Sequence, residues 1–186
     1  MKLLIYGSKD LAKVLRELVG HSGHDFIGFV DDFAPKGPEV VGTYAEALRL
    51  HPPSAGVGMV MGIGYNHLDA RMEAWCRVCA DGYETPVIAH QTAIVAPSAR
   101  IGPGCVLMAG AIVDVFTEID DCCVLWPGAV VNHDCRIGVN CFISPGAVVC
   151  GFVNMGKSCF IGAAAVVVDH RSVPDGAFVK ARAVYK

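Results

Sequence analysis

The chain has 186 residues, room for one domain or two small ones, and is 53% apolar against 18% charged, which excludes disorder and a long solvated tail. Its formal charge is -3 and its 15 Lys and Arg are scattered, so the basic footprint of a nucleic-acid binder is missing. The start, MKLLIYGSKD, is too poor in apolar residues for a secretory segment, and no stretch approaches the roughly 18 uninterrupted apolar residues of a membrane span. The expectation is a cytoplasmic protein with neither nucleic acid nor membrane as a partner.

Residues 1–88 read as alternating strands and helices: LLIY, a helix from about Asp10 to Val19, FIGFV, a weaker helix around TYAEALRL, VGMVMGIG, the helix HLDARMEAWCRVCAD, and ETPVIAH. This predicts a Rossmann-like α/β domain, a small βαβαβ unit. A nucleotide-binding unit carries G-x-G-x-x-G after its first strand so that backbone can approach phosphate; here the segment is Gly7, Ser8, Lys9, Asp10, Leu11, Ala12. Asp31 and Asp32 follow the second strand, where a carboxylate accepts hydrogen bonds from ribose hydroxyls and where paired Asp equally well makes a simple turn. Gly62, Gly64 and Asn66 follow the third, so three strand ends converge on one crevice at the sheet's carboxyl edge. The predicted substrate contacts are Gly7, Ser8, Lys9, Asp31, Asp32 and Gly64. In the last helix Cys76 and Cys79 form a lone C-x-x-C with no second pair, which reads as helix packing rather than a metal site.

From Val95 an aliphatic residue returns at every sixth position without a slip: Val95, Ile101, Leu107, Val113, Ile119, Leu125, Val131, Ile137, Ile143, Val149, Met155, Ile161, Val167, Val173, Val179. At the chain's apolar fraction, such a run has chance odds on the order of one in ten thousand. Two positions earlier stands a mostly small residue, including Cys105, Cys123, Cys135, Cys141 and Cys159, which are thereby read as core fillers. Gly102, Asp114, Asp120, Gly138, Gly156 and Gly162 come just after the aliphatic residue, where a tight corner favours little bulk or unusual dihedrals. Three such hexapeptides close one triangular coil of eighteen residues, so residues 89–186 are predicted to form a left-handed parallel β-helix of slightly more than five coils. The cysteine total, 9, is odd and fits no disulfide framework.

Within the β-helix the most polar cluster is Asn132, His133 and Asp134. Histidine is the natural general base near neutral pH. One coil further along the same face lies Gly151, where a ligand can reach a backbone N–H, so one place supplies a base and an oxyanion donor. A solvated histidine at a corner is the competing reading. The other six histidines, His170 included, read as structural or solvated. His133 has no histidine five residues on and His170 misses its two-coil register by one, so no metal site of three convergent histidines is predicted.

The segment N-H-D-C-R-I-G, followed by I-S-P-G-A and F-I-G-A and preceded by G-F-V-D-D and G-I-G-Y-N, resembles the bacterial sugar acetyltransferases with hexapeptide repeats: sialic acid O-acetyltransferases and nucleotide 4-amino-sugar N-acetyltransferases. The resemblance covers essentially the whole chain. It implies a nucleotide-sugar-binding domain over 1–88, a homotrimer built on the β-helix, and acetyl-CoA as co-substrate in the groove between neighbouring β-helices, with no bound cofactor. It also implies catalysis by His133 as base, oriented by Asp134, and contacts to acetyl-CoA and the oxyanion from Gly151, Phe142, Ala163 and Lys180. The implied activity is acetyl transfer to the 4-amino group of a nucleotide-linked amino-dideoxy sugar, with O-acetylation of a sugar or sialic acid, or a degenerate binding or scaffold homologue, as alternatives. Two departures stand out: G-S-K-D-L replaces the family's glycine- and histidine-containing first loop, and Phe142 replaces a histidine that contacts acetyl-CoA.

Overall fold

Four apolar runs in the first part of the chain pair in parallel. The computed structural model describes residues 1–186, in two units, Met1–Pro86 and Val87–Lys186. The first contains β1 (Lys2–Tyr6), α1 (Asp10–His21), β2 (Asp25–Val30), β3 (Val40–Gly42), α2 (Tyr44–Leu50), β4 (Val57–Met61) and α3 (Leu68–Ala80). The sheet order is β3-β2-β1-β4, all parallel. The central β1 and its neighbour β4 are almost continuously apolar and buried, as strands covered on both faces must be. Helix α1 turns Leu11, Ala12, Leu15, Leu18 and Val19 inward. The segment TYAEALRL holds its short helix through a capping box, in which the Thr43 side chain accepts from the Glu46 N–H while the Glu46 carboxylate accepts from the Thr43 N–H.

Three expectations for this part are revised. An additional edge strand, β3, follows the turn-rich PKGPE and has only three residues, too few to show a period. ETPVIAH adds no full strand, because Glu84 makes a single bridge to Gly58 and Ile88–Ala89 already belongs to the second unit. Cys76 and Cys79 do not pack α3: both are exposed, while Arg71, Ala74, Trp75 and Val78 are its buried residues.

The second unit is a parallel β-helix of two-residue strands, running from Ile88–Ala89 to Val184–Tyr185. Two faces have six strands and one has five. The first face starts at Ile88–Ala89, the second at Ile94–Val95 and the third at Arg100–Ile101, and each residue pairs with the one a coil further on, as Val130 does with Val148. The aliphatic series from Leu107 to Val179 points inward and is buried, whereas Val95 and Ile101 are partly exposed at the open first coil. Cys105, Cys123, Cys141 and Cys159 stack in one interior column, and each thiol donates to a carbonyl on a neighbouring corner, at 3.0 to 3.2 Å. The hydrogen-bonded thiols of Cys123 and Cys159 pull Cys141 in opposite directions and burial pushes it up, to about 12. These groups fill space and close corners; none of the nine cysteines forms a disulfide.

The corners divide their labour differently from the sequence expectation. The left-handed residue is not the one after the aliphatic position but the one two further on, and it recurs every sixth residue from Gly104 (φ 68°) through Phe116, Cys122, Gly128, Asp134 and onward to Arg182 (φ 60°). Gly138 and Gly162 serve close approach instead, since a Cβ there would come within 2.7 and 2.4 Å of backbone atoms of the next coil. No helix of the protein is long and apolar enough to cross a membrane.

Candidate active site

The corner between the second and third faces at residues 132–135 is braced from inside. Thr117 points inward, fully buried; its hydroxyl donates to the Asn132 carbonyl at 2.6 Å and accepts from the Cys135 N–H at 3.1 Å. Cys135 in turn donates its thiol to the Cys150 carbonyl at 3.0 Å, and burial pushes that thiol's pKa up, so it is a corner tie and not a nucleophile. With the corner so fixed, Asp134 adopts a left-handed conformation (φ 56°), which Asp tolerates better than bulkier residues.

On the outside, His133 Nδ1 lies 3.0 Å from Asp134 Oδ2. A carboxylate only accepts, so Nδ1 carries the proton and Nε2 presents a lone pair. Gly151 lies directly against the imidazole: a Cβ there would sit 2.7 Å from Cε1 and 2.9 Å from Nε2. The Gly151 carbonyl accepts from the His170 N–H, while its own N–H takes no part in the corner's hydrogen bonds. The side chains of His133 and Asp134 are about half exposed, at 44% and 39%, so an incoming molecule can reach both. An exposed histidine oriented by a carboxylate is an arrangement suited to proton removal.

The remaining residues expected around the acyl donor lie elsewhere on the same chain. Phe142 is on the outer side of the first face, 2% exposed, in a row with Trp126 at 5.9 Å and Phe160 at 6.1 Å. Ala163 and Lys180 are exposed at the corners between the first and second faces, and Ala163 accepts from the Arg182 N–H. The two corner lines border opposite sides of the second face, so one chain brings His133, Asp134 and Gly151 together but not these three.

In the first unit, the predicted contacts gather at the carboxyl end of the sheet. Gly7 ends β1 with φ 114°, and a Cβ there would come within 2.9 Å of the Gly62 carbonyl, so only glycine fits between the two loops. Lys9 occupies the N-cap of α1, and Gly64 faces open space. Asp31 proves to be a loop tie: Oδ1 accepts from the Phe33 and Ala34 N–H groups and Oδ2 from the Ser8 hydroxyl. Burial pushes its carboxyl up, but these hydrogen bonds and the Lys9 charge outweigh that and hold it below the ordinary value. Asp32 accepts from the Tyr44 N–H at 2.7 Å, from the Tyr6 hydroxyl and from Arg77 at 3.0 Å, with the guanidinium lying 4.3 Å over the Tyr44 ring. Every oxygen of the acidic pair is therefore engaged within the protein.

Replacing Asp31 by Ala orphans three donors and is expected to lower stability at neutral pH by about 1–3 kcal/mol in urea unfolding. Because the carboxyl is held low, that stabilisation is present above the ordinary aspartate pKa of about 4 and disappears as pH falls through the lowered value. The gap between the two proteins is thus expected to narrow in acid.

Two neighbours of the base escaped the sequence reading. The Phe152 ring stands perpendicular to His133, with centroids 5.2 Å apart, and stacks parallel on His170 at 4.6 Å. Both stand in the Asp134 register, one and two coils further on.

Residues 116–151 match the family model of the bacterial transferase hexapeptide, six repeats. The chain carries the hexapeptide repeat of bacterial transferases, and its similarity to solved acetyltransferases supports acyltransferase activity. Among solved structures it is similar to PerB from Caulobacter crescentus, a perosamine N-acetyltransferase crystallised with CoA and GDP-perosamine, at 28% identity and TM-score 0.79, covering 98% of this chain and 95% of that one. It is also similar to the acetyltransferase domain of PglB from Neisseria gonorrhoeae crystallised with acetyl coenzyme A, at 27% identity and TM-score 0.73, covering 98% and 97%. No curated protein sequence matches significantly.

Proposed function

We propose that the protein transfers the acetyl group of acetyl-CoA directly to the 4-amino group of a nucleotide-linked amino-dideoxy sugar. The observation that carries the reading is the His133 corner, where the Nδ1 hydrogen bond to Asp134 leaves Nε2 as the basic atom beside the uncommitted Gly151 N–H. The acceptor amine attacks the thioester carbonyl carbon as Nε2 removes its proton. The oxyanion of the tetrahedral intermediate accepts from Gly151 N–H, then collapses with cleavage of the C–S bond. The departing CoA sulfur takes the proton back from the imidazolium, and Asp134 stabilises that cation while it lasts. PerB, with CoA and GDP-perosamine, supports both substrates.

The site is completed by a second copy in a homotrimer. The second face carries an outward column of Ile94, Ile112, Val130, Val148, Val166 and Val184, whereas the third carries Arg100, Glu118, Arg136, Asn154 and Ser172, with Arg136 paired to Glu118 at 2.6 Å. An apolar face favours association and a charged one favours water. Packing on the second face sets the His133 corner of one copy near the Ala163 and Lys180 corner of the next, which gives acetyl-CoA a groove with Phe142 further along the first face. In the first unit, Met1–Pro86, Gly7, Ser8, Lys9 and Gly64 take the nucleotide end, with Lys9 toward phosphate and Asp31 and Asp32 fixing the loops around it.

A second reading keeps the transfer and changes the acceptor to a sugar hydroxyl, as in sialic acid. What favours it is the engagement of all four oxygens of Asp31 and Asp32 within the protein, which leaves the acidic pair little capacity for ribose. Mass spectrometry after incubation with acetyl-CoA and UDP-, dTDP- and GDP-linked 4-amino sugars, alongside free sialic acid, separates the two. One acetyl group gained by a nucleotide-linked amine is the expected result; acetylated sialic acid alone would install the second reading, and no product from any acceptor would refute both.

A further inference from the structure

His133 is a surface side chain, yet it is in contact on three sides. Asp134 holds Nδ1, Gly151 lies against the Cε1–Nε2 edge, and the Phe152 ring stands at 87° to the imidazole with centroids 5.2 Å apart. Phe152 is itself held, because its other partner is His170, stacked within 7° of parallel at 4.6 Å. These four residues come from three successive coils of one corner line, so the rigid spacing of the β-helix fixes the stack.

The choice of residue at 152 runs against local physics twice. Its backbone is left-handed, with φ 60°, a conformation that glycine and asparagine accept and that bulky side chains rarely adopt. It also keeps 48% of an apolar ring exposed. Other corners hold Gly128, Asn140, Gly146 or Ser158 at the equivalent position, and the same corner line also carries Phe116, one coil before Asp134, which is exposed in the same conformation. What sets Phe152 apart from Phe116 on the same line is its contact with the His133 imidazole, and that contact points to a role there.

We propose that Phe152, backed by His170, is a positioning residue for His133: the stacked ring limits the imidazole to the orientation in which Nδ1 meets Asp134 and Nε2 stands beside Gly151. The ring restricts rotation that a single hydrogen bond to a half-exposed carboxylate leaves open. The inference deepens the acyltransfer reading and rests on it for the catalytic consequence, but the positioning itself is a property of the resting protein.

The test uses the full chain and two readouts. In histidine ring NMR at alkaline pH, wild-type His133 is expected as one tautomer, protonated at Nδ1, with its ring protons shifted by the Phe152 ring current. Phe152→Leu keeps apolar bulk without the ring, and Phe152→Ala removes both. Each is expected to abolish the ring-current shift and give averaged tautomer signals, while Phe152→Tyr retains the wild-type pattern and His170→Ala falls between. In turnover, the Leu and Ala variants are expected to lose roughly tenfold to a hundredfold in kcat, as for a misplaced catalytic group, with acceptor KM within about twofold of wild type. Phe152→Leu with an unchanged His133 spectrum and unchanged kcat would overturn the proposal, as would a Leu variant whose loss appears only in KM. A wild-type protein that shows the expected spectrum but acetylates no acceptor would instead refute the acyltransfer reading and leave the positioning established.

Discussion

Replacing His133 by alanine is expected to lower kcat for acetyl transfer by roughly 100- to 10,000-fold, the usual contribution of a general base. The fold should tolerate the change, because the side chain is half exposed and its hydrogen bond to Asp134 is a surface contact. Corner geometry comes from Thr117 and Cys135 beneath, whose bonds to the Asn132 and Cys150 carbonyls do not involve the imidazole. Thermal unfolding of the variant should therefore overlay wild type while steady-state CoA release collapses. Turnover within a few fold of wild type would remove His133 from the chemistry.

The second large effect is expected at Gly151→Ala, where stability and activity should part company. The new methyl would sit 2.7 Å from Cε1 and 2.9 Å from Nε2 of His133, closer than real contacts allow. What must move is the free end of a side chain, not backbone, so unfolding should change little. The imidazole, however, must swing off the site, and displacement of a catalytic group by about 1 Å costs on the order of a hundredfold. The backbone N–H at 151 is untouched, so a large fall in kcat with near-normal acetyl-CoA affinity would locate the damage in the base. A variant that unfolds early, or that retains full activity, would contradict the placement of His133 over Gly151.

The β-helix was largely legible in the sequence because its rules are periodic. An inward residue every sixth position and a neighbour every eighteenth are visible without any tertiary information, and they set Gly151 beside His133 before any coordinates. The same arithmetic carried along Asp134 would have revealed Phe152 and His170; they were passed over because an exposed phenylalanine at a corner carries no chemical signature of its own. Periodicity also misassigned the strained corner residue, since Gly138 and Gly162 are required by close approach to the next coil and not by a left-handed backbone.

The first unit was less legible for the opposite reason. In sequence Asp31 and Asp32 read equally well as ribose acceptors or as a turn, and the partners they hold come from Ser8, Tyr6, Tyr44 and Arg77, 12 to 45 residues away. No local pattern encodes those partners. Strand β3 was missed because three residues beside proline and glycine have no period to detect, and Cys76 and Cys79 were misplaced because α3 buries Arg71, a residue that a hydrophobicity pattern assigns to the outside.

Direct transfer at the His133 corner is tested most directly by a mass balance. Wild-type protein is mixed with acetyl-CoA alone, then with acetyl-CoA and the acceptor, and the acetyl group is followed on protein, CoA and sugar by quenched mass spectrometry. The expected result is no acetylated protein and no CoA release until the acceptor is present, followed by one acetyl group on the sugar for each CoA released, and none of this in His133→Ala. Acetyl carried on the protein before the acceptor arrives, or transfer undiminished without His133, would contradict it.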